Sequence, residues 1–145
     1  MIKFDVISKD EPYVLLKQKY DLALNEGQKA IEAISISSFD KKINEVDSRY
    51  VNLKFVINDK FIFFSNYKSP KAVAFNSHSQ IGALIYWPSI NTQIRMKADI
   101  KRTSKKFNQE YFLNRSEEKN ALAISSRQSE KISSYKEVTK NYKII

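Results

Sequence analysis

Apolar and polar residues alternate along this chain with two different periods, and the changes of period mark its elements. Over the segment that starts near Glu11, Tyr13, Leu16, Tyr20, Ala23 and Leu24 recur at helical spacing. Asp10 stands where a capping residue belongs. Pro12 fits a first turn, where a missing N–H is harmless, and Asn25-Glu26-Gly27 is a stop signal. The spacing therefore predicts a helix that opens at Asp10 and ends at Gly27.

Beyond it the period shortens to that of strands. Ala30 to Ser37 is rich in Ile and Ala and runs into a polar turn around Asp40-Lys41-Lys42. Val46 to Val56 follows, with Val51, Leu53 and Phe55 on one face and Tyr50, Asn52 and Lys54 on the other. Asn58-Asp59 reads as a hairpin turn into a mostly buried strand, Lys60 to Ser65. Ile81 to Trp87 is a further strand, stopped by Pro88. Thr92 to Lys101 alternates cleanly: Ile94, Met96, Ala98 and Ile100 face in, and Gln93, Arg95, Lys97, Asp99 and Lys101 face out. That is the mark of a half-buried antiparallel strand.

Helices interrupt and close this run. Ser69-Pro70 followed by Lys71 to His78 predicts a capped short helix; Ser104 to Arg115 predicts another, carrying Phe107, Tyr111 and Phe112. A third is expected from about Ser129 to the end, with Ile132, Tyr135, Val138 and Tyr142 along one stripe. Five consecutive strands with peripheral helices point to an α+β protein built on an antiparallel barrel. No repeat and no Pro/Gly-rich linker divides the chain. The expectation is one domain over 1–145: an N-terminal helix region over 1–29, barrel strands over 30–102 and a helical part over 103–145.

Composition narrows the chemistry. The 145 residues contain no Cys, one His (His78) and two Gly, Gly27 and Gly82. Disulfides, thiolate metal sites, cysteine nucleophiles and two-histidine relays are thereby excluded. A G-x-G-x-x-G loop and a P-loop are excluded too, because both need clustered glycines for close backbone approach to phosphate. No stretch approaches the ~18 apolar residues of a membrane span, and residues 1–5 carry no basic-then-apolar signal segment. A cytoplasmic protein is the expectation. The 25 Lys and Arg against 16 Asp and Glu give +9, which suggests an anionic partner.

Several segments offer seats for such a partner. Arg49 and Lys54 bracket one strand segment, a planar fork and a point charge; two basic residues on a strand are also ordinary solvated surface. Phe64-Ser65-Asn66-Tyr67-Lys68-Ser69-Pro70-Lys71 takes a strand through a loop into a helix start. There, free N–H groups, hydroxyls and Lys71 make a phosphate seat without glycines, or simply a Ser-Pro cap. Gln93 and Gln128-Ser129 offer amides that read the edge of a polar ring. Tyr111 and Arg115, spaced i, i+4, share one helix face. His78 is expected to be a C-cap or exposed group, and Trp87 a core or interface residue.

Taken in order, these segments resemble the pyridoxamine 5'-phosphate oxidase family, flavin-binding split-barrel oxidases of vitamin B6 metabolism. The family pattern of Arg, a few mostly apolar residues, then Leu-Lys appears as Arg49-Tyr50-Val51-Asn52-Leu53-Lys54. Its Phe-Tyr-Thr-Asn and Ser-Arg-Lys-Ala pattern appears as Phe63-Phe64-Ser65-Asn66 and Ser69-Pro70-Lys71-Ala72. Its strand ending in Trp, with the Arg-Gln-Val that follows, appears as Tyr86-Trp87-Pro88 and Thr92-Gln93-Ile94. Its Tyr-Phe-x-x-Arg and Gln-Ser motifs appear as Tyr111-Phe112-Leu113-Asn114-Arg115 and Gln128-Ser129.

The resemblance implies an FMN-binding split barrel and a homodimer with the flavin at its interface. It implies that Arg49, Lys54, Phe64, Ser65, Ser69, Lys71, Gln93, Gln128 and Ser129 contact FMN. It further implies that Lys54, Tyr111 and Arg115 contact the phosphate of a B6 substrate, with Lys119 falling where the family has a serine. The implied reaction moves hydride from C4' of the vitamer to the flavin, which dioxygen reoxidises to give hydrogen peroxide. The redox chemistry belongs to the cofactor, so no metal and no catalytic side chain is implied. Two departures stand out: Pro70 replaces a family arginine, and the family's C-terminal Trp and Arg-x-His-x-Arg segment has no counterpart before Ile145. A binding protein of the same fold that has lost oxidase activity is the alternative; a basic barrel for nucleic acid is a weaker one, and neither nucleic acid nor membrane is expected as a partner.

Overall fold

A computed structural model of the chain describes residues 1–125, 131–132 and 134–143. It forms two compact units, Met1–Ile100 and Lys101–Ile145.

The first unit holds six strands and two helices. They are β1 (Lys3–Ile7), α1 (Glu11–Asn25), β2 (Ala33–Asp40), β3 (Glu45–Asn58), β4 (Lys60–Phe63), α2 (Pro70–Ser77), β5 (Gln80–Trp87) and β6 (Thr92–Asp99). The sheet runs β1-β3-β2-β5-β6, with β4 also paired to β3. It is open rather than closed. It is also mixed, because β1 pairs with β3 in parallel through Lys3↔Phe55, Phe4↔Val56 and Asp5↔Ile57, while the other ladders are antiparallel. The strand β1 is not among those the sequence predicts. Its alternation is only five residues long, and it is held by what α1 provides: the Ile2 amide donates to the Tyr20 hydroxyl at 3.1 Å, and the Phe4 ring tilts against Tyr20 at 4.9 Å.

Turn chemistry sets the strand register. A four-residue loop joins Asp40 to Glu45; Asp40 Oδ1 accepts from the Lys42 amide at 2.9 Å, and Asn44 takes the left-handed region at φ +57°. The two-residue connection Asn58-Asp59 also relies on a left-handed asparagine, φ +55°. Pro88 starts a single 3-10 turn over Pro88–Ile90 instead of merely ending β5.

The core lies between α1 and one face of the sheet. Leu16, Tyr20 and Ala23 from the helix meet Ile31, Ile34, Leu53, Val56, Ile85 and Trp87. Trp87 is 1% exposed, its Nε1–H donates to the Ile31 carbonyl at 3.1 Å, and Tyr20 meets its ring edge-on at 6.0 Å. Asp10 occupies the cap position of α1 without a side-chain cap bond. On β6, Ile94 and Met96 are half-buried and Gln93, Arg95 and Lys97 exposed, as alternation requires; Ala98, near the strand end, is exposed instead.

The second unit holds α3 (Lys105–Leu113), α4 (Glu117–Ser125) and α5 (Tyr135–Lys143). Ser104 caps α3 by accepting from the Phe107 amide at 3.1 Å. The helix stops two residues before the expected Arg115: Asn114 is its C-cap, and its side-chain amide donates to the Glu110 carbonyl at 2.8 Å. The helix α4 was hidden by its polar start, yet Glu117 and Glu118 there suit the positive end of the helix dipole. The last helix begins at Tyr135, so Ile132 precedes it, and Tyr135 is 83% exposed rather than part of a buried stripe.

Candidate functional site

Three elements bring four of the expected residues together. Arg49 lies on β3 opposite Ile36 of β2, with Ser38 two residues further along β2 on the same, core-facing side. Its guanidinium is braced there: Nη1 donates to the Ser38 hydroxyl at 2.6 Å and toward the Ile36 carbonyl at 3.4 Å, and Nη2 donates to Asp47 Oδ2 at 2.7 Å. Ser38 is itself 3% exposed. A buried hydroxyl needs a partner, so its strong bond to Arg49 fixes the guanidinium against the sheet.

The loop from β4 to α2 supplies the rest. Asn66 folds it: its side-chain oxygen accepts from the Lys68 amide at 2.8 Å, and its carbonyl accepts from the Ser69 amide at 3.1 Å and the Ser69 hydroxyl at 2.7 Å. Ser69 therefore stands at the N-cap position of α2 without capping it. Its hydroxyl is turned into the loop, 3.4 Å from the Ser65 hydroxyl, and accepts from Lys71 Nζ at 3.3 Å. The helix packs on β2 through buried Ala72 and Ala74, small enough to allow a close approach, and the Phe63 ring meets Phe75 edge-on at 6.2 Å.

This packing brings Lys71 within electrostatic reach of Arg49. The Lys71 ammonium is held below its ordinary pKa, first by burial and then by the positive charge of Arg49. Among the described residues Lys71 has no carboxylate within salt-bridge distance, whereas Arg49 has Asp47. Asp47 is 74% exposed, and the Arg49 guanidinium bonded to it holds its carboxyl below the usual range. Lys71 and the Ser65 and Ser69 hydroxyls thus cluster at the start of α2, within electrostatic reach of Arg49 and its exposed carboxylate partner. That donor set fits a phosphate.

Lys54 sits at an irregularity. The β3–β4 register shifts between Leu53 and Phe55, so Lys54 is the extra residue of a bulge. Burial changes parity across it: Leu53 and Val56 are both 1% exposed, and Phe55 is only half-buried. The expected split, with Phe55 inside beside Leu53, fails for this reason. Lys54 also acts on Glu32, whose carboxyl is lowered first by a backbone hydrogen bond and then, against burial, by the chain's amino terminus and by Lys54.

The other expected residues lie elsewhere. Phe64 is half-buried and meets Phe55 edge-on at 6.4 Å. Gln93 is exposed on β6 opposite Tyr86, on the sheet face away from Arg49. One chain therefore does not bring it to the phosphate seat. In the second unit Tyr111 meets Phe112 edge-on at 5.6 Å, and Arg115, beyond the end of α3, lies over the Phe112 ring at 5.9 Å. The shared i, i+4 face of Tyr111 and Arg115 is lost because Asn114 ends the helix between them. Lys119 is exposed on α4, and Gln128 and Ser129 lie outside the described residues. Ser38, Asp47 and Glu32 are the residues that sequence reasoning missed. Ser38 was detectable as a hydroxyl on the apolar face of β2, and Asp47 by its period-two spacing from Arg49.

The same segments carry a likeness to known proteins. The pyridoxine/pyridoxamine 5'-phosphate oxidase of Legionella pneumophila is 31% identical over 125 residues, 86% of this chain and 58% of that protein. The enzymes of that name from Neisseria meningitidis and Leptospira interrogans are 29% and 25% identical over 123 and 122 residues. Over most of its length the chain is homologous to these oxidases. It spans little more than half of their length. No protein-family model matches it.

Solved structures agree on the fold. PhzG from Burkholderia lata 383, crystallised with tetrahydrophenazine-1-carboxylic acid, superposes with a TM-score of 0.84 at 20% identity, covering 92% of this chain and 66% of that one. A pyridoxamine 5'-phosphate oxidase-related, FMN-binding protein from Nostoc punctiforme superposes with a TM-score of 0.65 at 13% identity, covering 85% and 70%. The architecture is thus that of the FMN-binding split barrel, with the sheet left open here.

Proposed function

We propose that the protein is an FMN-dependent oxidase of the pyridoxine/pyridoxamine 5'-phosphate oxidase type, converting a B6 phosphate to pyridoxal 5'-phosphate with dioxygen as acceptor and hydrogen peroxide as product. The observation that carries the reading is the half-buried Lys71 ammonium, bonded to the Ser69 hydroxyl beside Ser65 and within electrostatic reach of Arg49. Like charges held together in a half-buried site are unfavourable until an anion joins them. A terminal phosphate monoester supplies that anion; the homologues' name suggests the substrate class, and the FMN-binding neighbour of the same fold suggests the cofactor.

Bound FMN would accept two electrons as hydride from the substrate carbon. The chain's own part is binding and orientation. Lys71 gives the phosphate a charge-assisted hydrogen bond, Ser65 gives it a hydroxyl donor, Ser69 holds the Lys71 ammonium in place, and Arg49 is braced against the sheet by Ser38. Lys54, carried out of plain alternation by its bulge, serves the flavin or the substrate phosphate. Tyr111, Arg115 and Lys119 are assigned to the substrate, and Phe64, Gln93, Gln128 and Ser129 to the flavin.

Gln93 reaches a flavin on the Arg49 side only from another copy, which favours a homodimer with FMN between protomers. The outer sheet face suits that partner: Tyr50, Leu84 and Tyr86 are 77%, 37% and 56% exposed on neighbouring strands.

The test is to load the purified protein with FMN and measure peroxide formed from pyridoxine 5'-phosphate. FMN-dependent peroxide is expected. A protein that takes no FMN contradicts the reading. One that takes FMN without turnover supports the second reading, a flavin- or pyridoxal-phosphate-binding protein without oxidase activity, which the shortened homology favours.

A further inference from the structure

We propose that Asp47 is a resident counter-anion of the phosphate seat, a specificity-determining residue that only a strongly charged ligand group displaces. The inference rests on the phosphate seat of the preceding reading and adds a competitor built into it.

Three observations lead to it. Arg49 is held from two sides for different reasons. Its Nη1 is anchored to Ser38 and Ile36, groups buried in the sheet, whereas its Nη2 is bonded to a carboxylate that is 74% exposed. The first set fixes the guanidinium even without the second. The Asp47 bond is therefore not needed to position Arg49, and it occupies an edge of the fork that a phosphate would use. Second, Lys71, bonded to the Ser69 hydroxyl and within electrostatic reach of Arg49, has no carboxylate of its own among the described residues. The local sum over Arg49, Lys71 and Asp47 is one positive charge. Third, Asp47 lies near the start of β3, two residues from Arg49 on the same strand face, so it can swing into water with no change in the backbone.

These facts give Asp47 a graded effect. An exposed ion pair contributes little, so breaking it is a small penalty for a dianion that gains two cations in return. A monoanion or a neutral hydroxyl gains much less and meets the same carboxylate. Asp47 thereby lowers affinity for every anion somewhat and excludes weak ones. Removing its charge should tighten phosphate esters and leave the dephosphorylated compound untouched.

The experiment compares the wild-type protein with Asp47→Asn at fixed ionic strength. FMN and riboflavin are titrated by flavin fluorescence, and the shift in Tm with added inorganic phosphate is measured in parallel. The expected result is FMN binding tightened about two- to fivefold in Asp47→Asn with riboflavin unchanged, the size set by an exposed ion pair. The Tm shift from phosphate should grow in the same variant, and Asp47→Ser should move both readouts the same way. FMN affinity that falls or stays constant in both variants overturns the inference while leaving flavin binding intact. A wild-type protein that ignores FMN, with a phosphate shift still larger in Asp47→Asn, removes the flavin reading and keeps the counter-anion. No response to FMN or to phosphate in any of the three proteins removes both.

Discussion

Lys71 shows how one residue can report on the site without any ligand. Its ammonium is destabilised in the folded chain by burial and by Arg49, so its folded pKa lies below its unfolded one. The sign follows directly. At pH values below the folded pKa the group is charged in both states and the penalty is fully present. As pH rises from the folded pKa toward the ordinary lysine value, the folded chain releases a proton that the unfolded chain keeps, and stability rises. We expect urea unfolding to show this alkaline gain in the wild-type protein and a flatter profile in Lys71→Met, the difference between the two isolating this group. Parallel profiles would mean that Lys71 is not confined against Arg49. Bound phosphate reverses the preference by favouring the charged lysine, so affinity for the ester should fall as pH climbs through the same window. Much of this residue-level picture was legible: Arg49, Ser65, Ser69 and Lys71 are named by sequence pattern alone. What pattern did not reveal was the bracing of Arg49 by Ser38 and Asp47, since a hydrogen bond across two strands depends on the β2–β3 register.

At the scale of elements, periodicity served where an element is amphipathic and failed where it is short or irregular. The helix α1 and strands β2, β3, β5 and β6 bury one side and were read within a few residues of their ends. β1 is too short to show a period and depends on Tyr20, which is distant in sequence. The bulge at Lys54 breaks the alternation that strand reading assumes, and Asn114 ends α3 by a side-chain bond to Glu110 that no repeat encodes. The strongest element-level tie is Trp87, which joins the end of β5 to the segment entering β2. Trp87→Phe removes its Nε1 and leaves the Ile31 carbonyl unpartnered in the core. We expect a loss of about 1–3 kcal/mol in unfolding free energy with an unchanged urea m-value. A loss under about 0.5 kcal/mol would mean that water or backbone repacking serves Ile31 equally well.

For the whole molecule, the open sheet and the outward-facing Gln93 make the same demand. The expected split barrel is the fold, with its sheet open and mixed rather than wholly antiparallel, and the flavin contacts expected together fall on opposite faces of it. Neither property can be read from one strand at a time, because both depend on which strands pair and on what lies beyond the last one. No helix among the described residues is long and apolar enough to cross a membrane. Sedimentation at micromolar concentration is expected to give a dimer, strengthened by FMN through mass action; a monomer with FMN bound would place the whole flavin site in one chain and leave Gln93 without a role. The central claim, that Arg49, Lys71 and Ser65 grip a terminal phosphate, with Ser69 holding Lys71 in place, is tested most directly by titrating FMN and riboflavin into the wild-type protein and Lys71→Ala. The account predicts that FMN binds the wild type far more tightly than riboflavin does, and that Lys71→Ala removes about 1–3 kcal/mol of FMN affinity while sparing riboflavin. Equal affinity for the two flavins, or an FMN affinity indifferent to Lys71, would contradict it.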